Sequence, residues 1–231
     1  HRSLKETYAL GFSRLGPQRS DTIPTGIQAI DQLTGGLPQG RITEVCGPDS
    51  SGRTTLLLSA MAQITEKRFC GLIDPAGIFD PVSADATGID LNRLLWIRTG
   101  RNIDSILKAL DLLLQGGGFG LVGVDLGEIP LTHIRRVPLS SWFRLQRVVE
   151  HTPTILLFIN REPLIQTCTA LTLTLKPERV NWSGGLLRGI QPRAKIIRSK
   201  ANPIACRPSR SSLFDLQSAN CLRAVPKSGV S

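Results

Sequence analysis

No apolar run in this sequence approaches the roughly 20 residues that a membrane-spanning helix needs, so no membrane span is expected. The opening stretch, His1 to Tyr8, is polar and charged and carries no visible secretory leader; the chain also opens without a methionine, which suits a fragment. Cysteines are sparse and odd in number. Cys46, Cys70, Cys168, Cys206 and Cys221 form no close pair with metal-ligand spacing, so reduced thiols and a cytoplasmic setting are expected. Internal repeats are absent. Acidic residues are in short supply, 18 against 28 Lys and Arg, and the net charge is +10. That excess suits a nucleic-acid footprint or an acidic protein partner; a merely solvated surface is the ordinary alternative.

What is there can bury one good-sized core: 231 residues with 41% apolar content fit one domain with small appendages. Ile42 to Cys46, Phe69 to Ile73, Leu94 to Arg98, Leu121 to Asp125 and Thr154 to Ile159 are near-continuously apolar, as strands covered on both faces should be. Helices are expected from Thr54 to Ile64, from Asn102 to Gln115, and from Ser140 or Ser141, either able to cap it, to Glu150. The second carries Ile103, Ile106, Leu107, Leu110 and Leu114 on one stripe and ends at Gly116-Gly117-Gly118. The alternation predicts an α/β fold with a mostly parallel sheet covered by helices on both faces. After Lys200 the sequence turns Pro- and Ser-rich. Ser211 to Val225 is expected to form a short helix, with Phe214, Leu216 and Leu222 as a docking face.

Gly47-Pro48-Asp49-Ser50-Ser51-Gly52-Arg53-Thr54, with Thr55 next, follows a predicted strand and opens a predicted helix. That context is what a phosphate-binding loop requires. Glycines let successive N–H groups point at phosphate oxygens, and the helix N-terminus adds its positive end. The Thr54 hydroxyl falls where a magnesium ligand belongs. The motif wants lysine where this chain has Arg53. Arginine keeps the charge, but its planar fork does not reproduce a compact ammonium reaching the β- and γ-phosphates.

From Gly11 to Lys200 the chain resembles the RecA recombinase family, in Ile23-Pro24-Thr25-Gly26, LTGGLPQG at 33–40, RITE at 41–44, GPDSSGRTT at 47–55, CGLIDPAGIFDP at 70–81, TGIDLNRLL at 87–95, Leu121 to Asp125, LLFIN at 156–160 and AKIIRSK at 194–200. The resemblance implies a RecA-like core over 23–205, preceded by a 1–22 segment in which the oligomerisation arm is truncated, and followed by a 206–231 tail. It also implies ATP with magnesium as ligand, with Asp80 at the base and Asp125 as the second magnesium-side carboxylate. Departures fall on functional positions. Ala76 stands where the family has its catalytic glutamate, Ser83 where a tyrosine stacks on adenine, and Arg161 where a nucleotide-sensing glutamine sits. Alanine cannot orient water, and positioning is most of what phosphoryl transfer asks of a protein.

The same resemblance implies two loops that hold single-stranded DNA. Arg161 to Ala170, which separates LLFIN from an expected strand Leu171 to Leu175, is too short for the second. The first is expected from Ile129 to Leu139, with Arg135 and Arg136 at its tip, followed by a helix carrying Trp142, Arg144 and Arg147. Arginines beside an aromatic suit a strand-binding groove; against that, Phe143 is expected to pack inward. Arg198 and Lys200 match positions that reach a neighbouring subunit's nucleotide in a head-to-tail assembly, or are simply basic residues guarding an edge strand. The whole is similar to the ImuA type, an accessory of SOS-linked translesion synthesis whose partners would be a RecA-type recombinase or a polymerase subunit. The alternative is a divergent DNA-dependent ATPase or recombinase of homologous recombination, with Asp49, Asp74 or Glu44 as its carboxylate. A third reading is a regulator holding nucleotide as a structural ligand.

Overall fold

Near-continuous apolar strands need cover on both faces, and the helices supply it. The computed structural model describes residues 21–165, 167–183, 186–200, 211–213 and 216–217. A small ribbon of β1 (Thr22–Ile23) and β2 (Leu37–Pro38) brackets α1 (Gln28–Thr34). Then come β3 (Ile42–Cys46), α2 (Arg53–Thr65), β4 (Phe69–Ile73), α3 (Pro81–Ala86), β5 (Leu94–Ile97), α4 (Ile103–Gly116), β6 (Phe119–Asp125), α5 (Leu131–Arg135), α6 (Leu139–Glu150), β7 (Ile155–Asn160), β8 (Leu171–Ser183), β9 (Leu186–Ser199), β10 (Ser211–Leu213) and β11 (Leu216–Gln217). The main sheet runs β10-β9-β8-β3-β7-β6-β4-β5, with β11 also on β9. Pairings from β8 through β5 are parallel, while β9 is antiparallel to β8, β10 and β11.

The strand period of two sorts the core into layers. On β7, Ile155, Leu157 and Ile159 join α1 and α2 in one cluster. Leu156 and Phe158 join α4 and α6 in the other. The expected α/β architecture with helices on both faces is thus observed. Asn102 caps α4 by accepting from the Asp104 and Ser105 N–H groups, and Ile106, Leu110, Leu113 and Leu114 are its buried stripe.

Three expectations are corrected. Helix α6 starts at Leu139 with Pro138 at its N-cap (φ −60°, ψ 142°), so Ser140 and Ser141 lie inside it and cap nothing; proline's fixed φ suits the entry. The strand expected to stop at Leu175 continues to Ser183. Its polar run Lys176 to Arg179 hides the strand pattern, while β9 supplies the ladder partners. On the outer side of β9, β10 pairs only with Arg193 to Lys195, so Arg198 lies beyond that pairing and Lys200 follows the end of the strand. The described part of the tail is extended, not helical: Ser211–Leu213 and Leu216–Gln217 both pair with β9. Phe214, Leu222, Cys206, Cys221 and most of the 1–22 segment lie outside the described residues.

Candidate nucleotide-binding site

Strand β3 delivers the chain to the loop at Cys46, and α2 leaves it at Arg53. A Cβ on Gly47 would lie 2.3 Å from the Leu175 carbonyl oxygen and 2.5 Å from Ser51 Oγ, so only glycine fits. Its N–H donates to the Asn160 carbonyl at 3.1 Å, tying the loop to β7. Gly52 (φ 89°) and Ser50 (φ 59°) take the left-handed conformation that curls the loop. Pro48, Asp49, Ser50, Thr54 and Thr55 are exposed, and no acidic residue stands in the first turn of α2 to neutralise its positive end. Two buried polar atoms here have no hydrogen-bond partner: Ser51 Oγ and Arg53 Nη1. Unsatisfied buried groups are costly and rare, and these two stand at the turn into α2.

The cations of the loop are tied to its own acids. Arg53 Nη2 donates to Asp49 Oδ1 at 3.0 Å, and Arg161 Nη2 donates to Asp49 Oδ2 at 3.3 Å and to Glu128 Oε1 at 3.2 Å. Beside them lies a cavity of about 150 Å³ whose lining includes Thr54, Asp74, Asp80, Ser83 and Asp125 among leucines and Phe79. Burial pushes the Asp125 carboxyl up; the Gly127 N–H and the Arg53 charge pull the other way. A magnesium ion needs few protein ligands when phosphates and waters complete its shell. The Thr54 hydroxyl and the Asp125 carboxylate, hard oxygens on one cavity, fit that role, and the ion would neutralise phosphate charge. Asp80 is exposed and caps α3, accepting from the Val82 and Ser83 N–H groups and the Ser83 hydroxyl, which hold it below the usual carboxylate range.

The connection from β4 to α3 is built differently. Asp74 is 1% exposed, and its oxygens accept from the N–H groups of Gly77 (2.8 Å), Ile78 (3.2 Å) and Phe79 (2.9 Å) and from Trp96 Nε1 (3.2 Å). Phe79 packs on Trp96 at 5.2 Å, and the Arg98 guanidinium lies over the same indole. Ala76 is part of this turn and brings no acid to it. Glu44 is likewise buried on β3. Its Oε1 accepts from Asn160 Nδ2 (2.6 Å) and from the Leu164 and Ile165 N–H groups (2.8 and 3.1 Å), pinning the β7–β8 connection, while Oε2 has no partner. Burial raises its carboxyl above the ordinary value. Trp96 and the clamp by Glu44 were not foreseen; a lone acid within the strand run Ile42 to Cys46 was the one available signal for the latter.

The residues expected to face DNA are not gathered into one groove. Arg135 ends the short helix α5 rather than a loop and pairs with Glu162 at 2.9 Å, and Arg136 is exposed beside it. Trp142 is 3% exposed and meets Phe158 edge-on at 5.6 Å, so it is core and offers no stacking face. Phe143, expected inside, is 45% exposed instead. Three-residue and seven-residue spacing explains the exchange: Trp142, Leu145 and Val149 share the buried face of α6 and Phe143 does not. Arg144 pairs with Asp111 at 2.6 Å and Arg147 is exposed. Arg198 is half-buried opposite Thr172, and Lys200 Nζ donates to the Thr167 carbonyl at 2.9 Å within its own chain.

The family model of the RecA N-terminal domain matches residues 8–132, more than half of the chain. The chain belongs to that family. Protein RecA of Wigglesworthia glossinidia brevipalpis is 28% identical over 243 residues, covering 89% of this chain and 72% of that protein. Protein RecA of Lactobacillus acidophilus is 32% identical over 157 residues, covering 61% of this chain and 43% of that protein. Among solved structures, the RadB recombinase matches with a TM-score of 0.66 at 19% identity, over 85% of this chain and 96% of that one, a likeness of fold. No helix among the described residues of this RecA-like chain is long and apolar enough to cross a membrane.

Proposed function

We propose that this RecA-like chain is an accessory protein of DNA repair that holds nucleotide on its phosphate loop and hydrolyses it weakly or not at all, acting in SOS-linked translesion synthesis like the ImuA type. The observation that carries the reading is the β4–α3 turn. The acid expected there is replaced by Ala76, and neighbouring Asp74 spends its oxygens on the turn and on Trp96. Asp49 is engaged by two guanidiniums and Glu44 is buried against the β7–β8 connection. Asp74 and Glu44 are therefore not free to activate water, and Asp49 meets a cation at each oxygen. Binding is supported by the curled loop, by its unpartnered donors, and by Thr54 and Asp125 sharing one cavity.

On this reading the protein works in the bacterial cytoplasm through contacts with a RecA-type recombinase or a translesion polymerase subunit, with single-stranded DNA meeting exposed arginines such as Arg136 and Arg147. A head-to-tail homo-oligomer would use Arg198 and Lys200. The retained Thr54–Asp125 pair favours one second reading, a divergent DNA-dependent ATPase or recombinase. Labelled ATP binding, with phosphate release followed in the presence and absence of single-stranded DNA, separates the two. Binding with little turnover is expected. DNA-stimulated release at an ordinary recombinase rate, lost on truncating Arg53, would overturn the accessory reading.

A further inference from the structure

We infer that Asp49 is an internal competitor for the phosphate site, its carboxylate holding, between the Arg53 and Arg161 guanidiniums, the charge position that a bound phosphate group takes. The inference rests on the reading of the loop as a nucleotide cradle and adds a built-in brake on anion binding to it. Each Asp49 oxygen meets a different guanidinium, Oδ1 with Arg53 at 3.0 Å and Oδ2 with Arg161 at 3.3 Å. The two cations come from separate elements, the first turn of α2 and the end of β7, so a single carboxylate joins both walls of the site. Glu128 takes a further share of Arg161 at 3.2 Å, and the Arg53 charge also acts on Asp125. The cationic groups around the loop are therefore already opposed by acids of the same chain.

Displacement is nevertheless easy. The Asp49 side chain is 66% exposed and can turn into water, whereas the Arg53 side chain is only 11% exposed and stays in place. Exposed ion pairs of this kind are weak and screened. What remains after Asp49 leaves is a fixed set of donors: the Arg53 guanidinium, including buried Nη1, the Ser51 hydroxyl, and the start of α2. A ligand replaces the carboxylate by bringing more negative charge than its single one, as a phosphate group does, and a polyphosphate, as nucleoside triphosphate or inorganic triphosphate, does so by the wider margin.

The test titrates the full chain with Mg–ATP and, separately, with inorganic triphosphate. Asp49→Asn should tighten both by roughly five- to thirty-fold, the equivalent of releasing two exposed pairs. In an Arg161→Gln background that gain should shrink. Asp104→Asn, which removes the same charge from an exposed site on α4, should change affinity by less than about two-fold if the effect is local rather than long-range. Equal or weaker binding by Asp49→Asn, where the unaltered chain binds, sinks the inference and leaves the nucleotide reading standing. An equal gain from Asp104→Asn, or a gain for ATP without one for triphosphate, also sinks it. Absence of binding by both proteins sinks the inference and the reading together.

Discussion

The phosphate loop and the β4–α3 turn both lie at carboxyl ends of parallel strands, yet their polar groups are treated in opposite ways. In the loop, Ser51 Oγ and Arg53 Nη1 are buried without partners, and the charged groups around them pair across exposed, exchangeable contacts. In the turn, every bond available to Asp74 is made within the fold, to three backbone N–H groups and an indole. A polar group left without a partner leaves a bond for a ligand or water to make, whereas one satisfied by its own chain is part of the architecture.

The largest effect should come from the closed side. Asp74→Ala removes the acceptor for four donors in a buried turn and is expected to cost about 3–5 kcal/mol of stability, read from urea or thermal unfolding. A loss below about 1 kcal/mol would erase the contrast.

Glu44 tests an intermediate case, since one of its oxygens is fully used and the other is not. Glu44→Ala should cost about 2–4 kcal/mol by freeing the Leu164 and Ile165 N–H groups. Glu44→Gln should be tolerated, because burial already favours the neutral carboxyl. The sign follows from that direction. A folded-state value raised above 4.5 means stability from Glu44 is fully present below 4.5 and is lost as pH rises through the raised value. The difference between parent and Glu44→Gln unfolding midpoints, followed from below 4.5 to neutral pH, should therefore shift in favour of the variant as pH rises.

The smallest effect belongs to the open side. Ser51→Ala deletes a hydroxyl that has no partner, so the ligand-free protein should change by no more than about 0.5–1 kcal/mol, in either direction. The increase in melting temperature on adding Mg–ATP should fall with it. A large loss of ligand-free stability, or an undiminished ligand response, would show that the hydroxyl is not held open for phosphate.

Most of the architecture was legible in the residues themselves. Apolar runs on β3, β4, β6 and β7 and the stripe on α4 are local patterns whose period reports the element directly. The loop was legible for the same reason, since Gly47, Gly52 and Thr54 carry a backbone requirement at fixed spacing. The long β8–β9 hairpin was not: Lys176 to Arg179 do not resemble a strand alone and become one through pairing with β9. Nor was the exchange of Trp142 for Phe143, adjacent residues of similar hydrophobicity separated only by which face of α6 meets Phe158.

By itself the amino-acid order determined the sheet and the glycine-shaped cradle, because each depends on residue type at short range. Only the tertiary structure decided that Asp74 and Glu44 are consumed as clamps, and that Asp49 stands between arginines 4 and 112 positions away. The reason is that hydrogen-bond saturation and charge pairing depend on which distant atoms share a few ångströms, information that no local spacing carries.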